Sequence, residues 1–173
     1  MTRRFLDVLI PAVIAGSTMP HSEIHGEQHW KCVSLVAVRA AKATPGADPL
    51  VALLFGLFHD TQRWNEDEDP EHGLRAAAYA EQFFESGRLS LSRAQAEALA
   101  FACRTHTEAG PTDDPVIGCC YDGDRLNLWR VWITPHPDYL STEFGLESTD
   151  TEWTRDLHGE PIEWSDVLDV LFS

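Results

Sequence analysis

The stretch LLFGLFHDTQRW, residues 53–64, runs through almost pure apolar helix formers and then places His59 beside Asp60. An uncompensated polar group in an apolar setting costs roughly 2–7 kcal/mol, more if it is charged. A bound cation would compensate both residues, because the imidazole offers one nitrogen and the carboxylate two oxygens. Adjacent residues on a helix diverge by about 100°, so such a pair shares one site best at a helix end, where the backbone can turn.

Four further positions pose the same problem. On the i, i+3, i+4, i+7 spacing that defines one helix face, the stripe after HGEQHW is His29, Val33, Val36, Ala37 and Ala40. After Asp69-Pro70 it is His72, Ala76, Tyr79, Ala80 and Phe83. In AEALAFACRTHTE it is Leu99, Ala102, Cys103 and His106, and in PVIGCCYDGDRLNLW it is Ile117, Cys120, Tyr121, Asp124 and Leu128. A lone histidine on an apolar stripe is ordinarily a core residue bonded to a carbonyl, and a lone aspartate a buried partner for arginine. Six separate exceptions would each need their own compensation, whereas a metal site satisfies all of them together. Six potential ligands from five helices therefore predict a metal centre.

The helices that must position these residues carry their own boundary signals. Asp-Pro recurs at Asp48-Pro49, Asp69-Pro70 and Asp114-Pro115, where the carboxylate caps free amides and proline takes the first helical position. Ser92 with Gln95 forms a capping-box pattern, and Gly87 and Gly110-Pro111 read as stops. Strand-like alternation is nearly absent before residues 128–141. The expected class is all-α, in one domain over residues 1–173.

Composition narrows the partners. The net charge of −15, from 13 basic and 28 acidic residues, argues against nucleic acid, because binding phosphate backbones needs a Lys/Arg surface. A nucleotide-sized substrate remains compatible if a cation is bound locally. Cys32, Cys103, Cys119 and Cys120 show no C-x-x-C spacing and read as reduced core thiols, which points to the cytoplasm. The N-terminus MTRRFLDVLIPAVIAGS resembles an export signal on the surface, but Asp7 and Pro11 interrupt its apolar run. It reads as a first helix, with export the alternative, and no run reaches the roughly 18–20 apolar residues of a membrane span.

The order His, His-Asp, His, His, Asp resembles the HD superfamily of metal-dependent phosphohydrolases. HWKCVSLVAVRAA is similar to its first-ligand helix, LLFGLFHD to its doublet, and YDGDRL to its closing element. In that element the resemblance assigns the ligand role to Asp124 rather than Asp122. It covers about residues 25–130 as an HD-like helical bundle, leaving a short irregular extension over about 131–173. His72 and His106, in EHGLRAA and CRTHTE, match the additional histidines of dinuclear members. DGDRLN departs from the family's DADRLD in placing Gly123 inside the helix and Asn127 where an acid is common.

The resemblance implies two divalent ions, iron or manganese, with zinc, nickel and magnesium as alternatives, held by His29, His59, Asp60, His72, His106 and Asp124. Asp60 would bridge them, and a shared water would attack a small phosphorylated metabolite or nucleotide. Arg63, Arg75 and Arg125 are candidate phosphate binders through their planar fork, the alternative being ion pairing with the acidic excess. His25, one turn before His29, would bond to a ligand or serve as acid for the leaving group, the alternative being an exposed position near the helix start. NEDEDPE, residues 65–71, reads as a solvated loop or a lid, and the aromatic segment after Asp124 as a pocket wall. His21, His136 and His158 stand outside the ligand set. Two other functions fit the same residues: a dinuclear-iron oxygenase, and a non-catalytic module with a structural metal.

Overall fold

The computed structural model describes residues 2–157, 159 and 161–173; His158 lies outside the described residues. Helices α1 (Arg3–Ala15), α2 (Glu27–Ala43), α3 (Pro49–Phe58), α4 (His72–Glu85), α5 (Arg93–Thr105) and α6 (Pro115–Arg125) form the bundle. Two 3-10 segments follow, Leu126–Val131 and Pro137–Tyr139, and then α7 (Glu143–Ser148), α8 (Glu152–Asp156) and α9 (Trp164–Phe172). No strand occurs among the described residues, as the all-α reading requires.

The centre of the bundle is α3, in which every residue from Val51 to Phe58 is buried. A helix apolar on all sides must be enclosed on all sides, and α2, α6, α5, α4, α9 and α1 surround it. Its start follows the sequence: Asp48 caps the amides of Leu50 and Val51, with Pro49 in the first turn. Asp114 and Pro115 repeat this device at α6, and Ser92 and Gln95 complete the capping box of α5. Gly87, at φ +73°, follows the end of α4.

The α2–α3 crossing is close because Gly56 has no side chain. A Cβ there would lie 2.4 Å from the backbone nitrogen of Ser34. Gly123 does the same for α6 against α2, where a Cβ would lie 2.8 Å from that of Ala37. Gly123 is thus a packing residue on the helix that carries Asp124.

Two boundaries differ from the sequence reading. Asp69 does not cap α4, which starts at His72; its carboxylate instead accepts from the Trp64 amide at 2.9 Å and pairs with Arg75. Helix α6 ends at Arg125, so Leu128 belongs to the following 3-10 segment rather than to the helical stripe. The region after 131 also carries more order than its composition announces. Val167 and Leu168 of α9 are buried, and α9 packs on α2 and α3, held by Lys31 to Glu163 at 3.3 Å and Trp164 Nε1 to Glu27 at 3.0 Å. No helix among the described residues is long and apolar enough to cross a membrane. All four cysteines are free and buried.

Candidate metal centre

All six anticipated ligands sit at helix ends, and those ends converge. His29 lies in the first turn of α2 and His72 is the first residue of α4. His59 and His106 are the C-terminal caps of α3 and α5, and Asp124 lies in the last turn of α6. Three helix C-termini, with their partial negative charge, thus point at the cluster against two N-termini, a balance that favours a cation.

Asp60 is the hub. Its Oδ2 lies 3.6 Å from His29 Nε2 and 3.7 Å from His59 Nε2, while its Oδ1 lies 3.2 Å from His72 Nε2. Asp124 Oδ1 approaches His29 Nε2 at 3.5 Å and His59 Nε2 at 3.9 Å. Two sets of three donors result, His29/His59/Asp124 and Asp60/His72/His106, with a third set formed by His25, His29 and Asp60. Bonds of about 2.1 Å at right angles around an ion place neighbouring donors about 3.0 Å apart, so these spacings suit metal ligation.

The imidazole pairs supply an independent test of fit. His106 Nδ1 donates to the Cys103 carbonyl at 2.8 Å, and His72 Nδ1 to that of Asp69. A carbonyl only accepts, so each Nδ1 holds the proton and each Nε2 presents a lone pair. Those two lone pairs face each other at 3.0 Å. Only the Thr107 hydroxyl at 3.4 Å and Arg63 Nη1 at 3.5 Å approach His72 Nε2 as donors among the described residues, and a cation between the two lone pairs would offset their repulsion directly. His59 Nδ1 is fixed likewise on Gly56 O at 3.0 Å, the arrangement by which metal-binding histidines are oriented. Asp60 Oδ1 and His29 Nδ1 are buried without a hydrogen-bond partner among the described residues.

Burial disfavours the charged form of His29, His72 and His106. It pushes His29 down to about 3, aided by the Arg130 charge, and His106 to about 4. Burial also raises Asp60 and Asp124, but the facing imidazoles outweigh it and hold both carboxyls below their usual range. The unfolded chain protonates these histidines near 6.5, so between about pH 6.5 and 4 it binds more protons than the fold. Stability should therefore fall as pH is lowered through that window, the carboxylates adding to the loss only below 3.8. Thermal melts of chelator-treated protein from pH 7 to 4 check this, and a flat melting temperature would contradict it.

The other predicted residues divide. His25 is positioned: its Nδ1 lies 2.9 Å from Asp60 Oδ2, while its carbonyl accepts from Trp30 Nε1 at 2.7 Å. Arg63 is buried beside the cluster, 3.8 Å from Asp60 Oδ1, and donates to the Asp67 carbonyl at 2.8 Å. Arg75 is a correction, because it does not reach the cavity. It stacks on Trp64 at 3.8 Å, pairs with Asp69 and donates to Gln62 O at 3.0 Å, bracing the loop of residues 62–69. Arg125 lines the cavity, with its guanidinium held by the carbonyls of Tyr139 and Ala109 rather than by an acid.

Asp122 and Asp124 face different surroundings. Asp122 accepts from the amides of Ser141 and Thr142, each at 2.8 Å, and from the Thr142 hydroxyl at 2.7 Å, away from the cluster. Asp122→Ala should cost about 2 kcal/mol by leaving buried donors unpaired while metal content stays unchanged. Asp124→Ala should lose metal. Parallel melts and metal analysis of the two variants check the division; loss of metal from Asp122→Ala alone would reverse it.

A cavity of about 380 Å³ opens onto the cluster. Ile133, Thr134, Pro135, His136 and Tyr139 line it, so the segment after Asp124 does wall the pocket. Sequence reasoning missed Arg130, which also lines it. Its one signal was an arginine set among tryptophans just beyond the last carboxylate. The structure defines an all-helical protein with buried His/Asp groups that could hold metal. No family model, curated protein or solved structure matches the chain.

Proposed function

We propose that the protein is a metal-dependent phosphohydrolase of the HD type, acting on a small phosphorylated metabolite or nucleotide. The observation that carries this reading is Asp60, whose two oxygens face separate sets of imidazole nitrogens across 3.2–3.7 Å. His29, His59 and Asp124 would hold one divalent ion and His72 and His106 the other, with Asp60 common to both. Ions held there supply charge stabilisation for a phosphoryl group and lower the pKa of bound water toward neutrality.

The chain's own groups divide the remaining work. Arg63 stands beside Asp60 and His72 with its cationic fork suited to phosphate oxygens. His25 lines the cavity with Nδ1 on Asp60, which leaves its other nitrogen to deliver a proton to the leaving oxygen. Ile133 and Pro135 give the cavity an apolar wall beside these groups. Anaerobic assay of manganese- or iron-loaded protein against phosphate monoesters and diesters tests the reading: release of phosphate or alcohol supports it. Inert esters throughout, with metal bound, would overturn it.

A second reading, oxygen-dependent cleavage of a carbon bond at two irons, draws on the four imidazoles in the donor set, since nitrogen donors of this kind accommodate iron. Oxygen uptake on adding an organic phosphate or phosphonate to the iron-loaded protein would favour it over hydrolysis.

A further inference from the structure

The cavity holds a charge imbalance that the donor cluster does not explain. Among the described residues two carboxylates line it, Asp60 and Asp124, against three guanidinium groups, Arg63, Arg125 and Arg130. In a chain of 28 acidic and 13 basic residues, this is the reverse of the overall bias. The excess is also uneven. Arg63 has Asp60 nearby and shares a neighbouring cavity of about 250 Å³ with Asp67 and Asp69. Arg130 instead donates from Nε to Ile24 O at 2.9 Å and from Nη1 to Asn127 O at 3.1 Å, and Arg125 donates to Tyr139 O and Ala109 O.

Carbonyls fix a guanidinium in place without cancelling its charge. Neither Arg125 nor Arg130 forms an ion pair among the described residues. Each fork has five donors, so both retain N–H groups for a ligand. Any divalent ion at the cluster adds two further positive charges, and one phosphate dianion would leave the cavity uncompensated. Desolvated charge without a partner is costly. A ligand that supplies more negative charge resolves the imbalance.

We propose that the substrate carries a second anionic group, separated from its phosphate, and that Arg125 and Arg130 bind this group while the phosphate lies at the donor cluster. The inference rests on the phosphohydrolase reading and narrows its substrates to compounds with two anionic ends. Leu128 and Ile133, in the same cavity, suit a short hydrocarbon spacer between them.

Calorimetric titration of the manganese-loaded protein tests this with ethylphosphonate, phosphonoacetate, 3-phosphonopropionate and 4-phosphonobutyrate, none of which has a phosphate ester to cleave. At least one carboxylated member should bind about tenfold or more tighter than ethylphosphonate, the scale of one charge-assisted hydrogen bond. Arg130→Gln should erase most of that advantage with metal content unchanged. Arg130→Lys, which keeps the charge but not the fork, should lose part of it, and provides the comparison if the glutamine variant does not fold. Equal affinity for one-ended and two-ended ligands, or a preference untouched by both substitutions, would overturn the inference and leave the hydrolase reading standing. Failure of ethylphosphonate and all the others to bind a metal-loaded protein would remove both.

Discussion

Replacing Asp60 by alanine should strip metal from both halves of the centre at once. Its Oδ2 serves the His29/His59 side and its Oδ1 the His72/His106 side, so no other single substitution removes a donor from each. Loss of mere hydrogen-bond partners of ligands commonly costs 10–100-fold in metal affinity; loss of a shared carboxylate should exceed about 100-fold. His106→Ala, by contrast, should deplete only the Asp60/His72/His106 set. Metal per chain after dialysis, measured by plasma mass spectrometry for both variants, separates a shared carboxylate from a peripheral one. An Asp60→Ala protein that retained wild-type metal would refute the hub assignment.

The second large effect is expected at a residue that is not itself a donor. Gly56→Ala would place a Cβ 2.3 Å from Ser34 Oγ and 2.4 Å from the Ser34 amide nitrogen. The first atom could rotate away, but the second is backbone, so α2 and α3 must separate. Overpacking of this kind typically costs 1–3 kcal/mol, and with α3 at the middle of the bundle about 3 kcal/mol is expected. The displacement should reach function as well, because His59 and Asp60 follow α3 directly and His59 Nδ1 bonds to the Gly56 carbonyl. Denaturant melts should show the stability loss and metal titration a weakened affinity. A variant as stable as the parent would mean that α2 and α3 are not in contact at this point.

The sequence was most informative where chemistry and packing conflict. An imidazole on an apolar stripe has few means of compensation, so His29, His72 and His106 pointed inward and to each other before any coordinates. Asp-Pro caps at α3 and α6 and the Ser92 box at α5 also read correctly, because capping is a local hydrogen-bond pattern. Asp69 shows the limit of such patterns. Its carboxylate had a competing partner in Arg75 and a competing donor in the Trp64 amide, and a tertiary contact overrode the local motif. Arg75 is drawn away from the cavity by the same contact.

Arg130 was illegible for a different cause. Its place depends on the turn after α6 carrying it back against Ile24, more than a hundred positions earlier, and no spacing rule encodes that return. The helices after residue 140 were equally obscure. Glu143–Ser148 and Glu152–Asp156 are too short for a periodic signal, and α9 is held by packing on α2 and α3.

The central claim is that these six residues form a cation site. Anomalous scattering at the iron and manganese edges, from crystals grown with each metal, tests it most directly. Peaks should appear within the donor set of His29, His59 and Asp124 and within that of Asp60, His72 and His106. A crystal soaked in millimolar metal that showed ions elsewhere on the protein, and none among these donors, would contradict it.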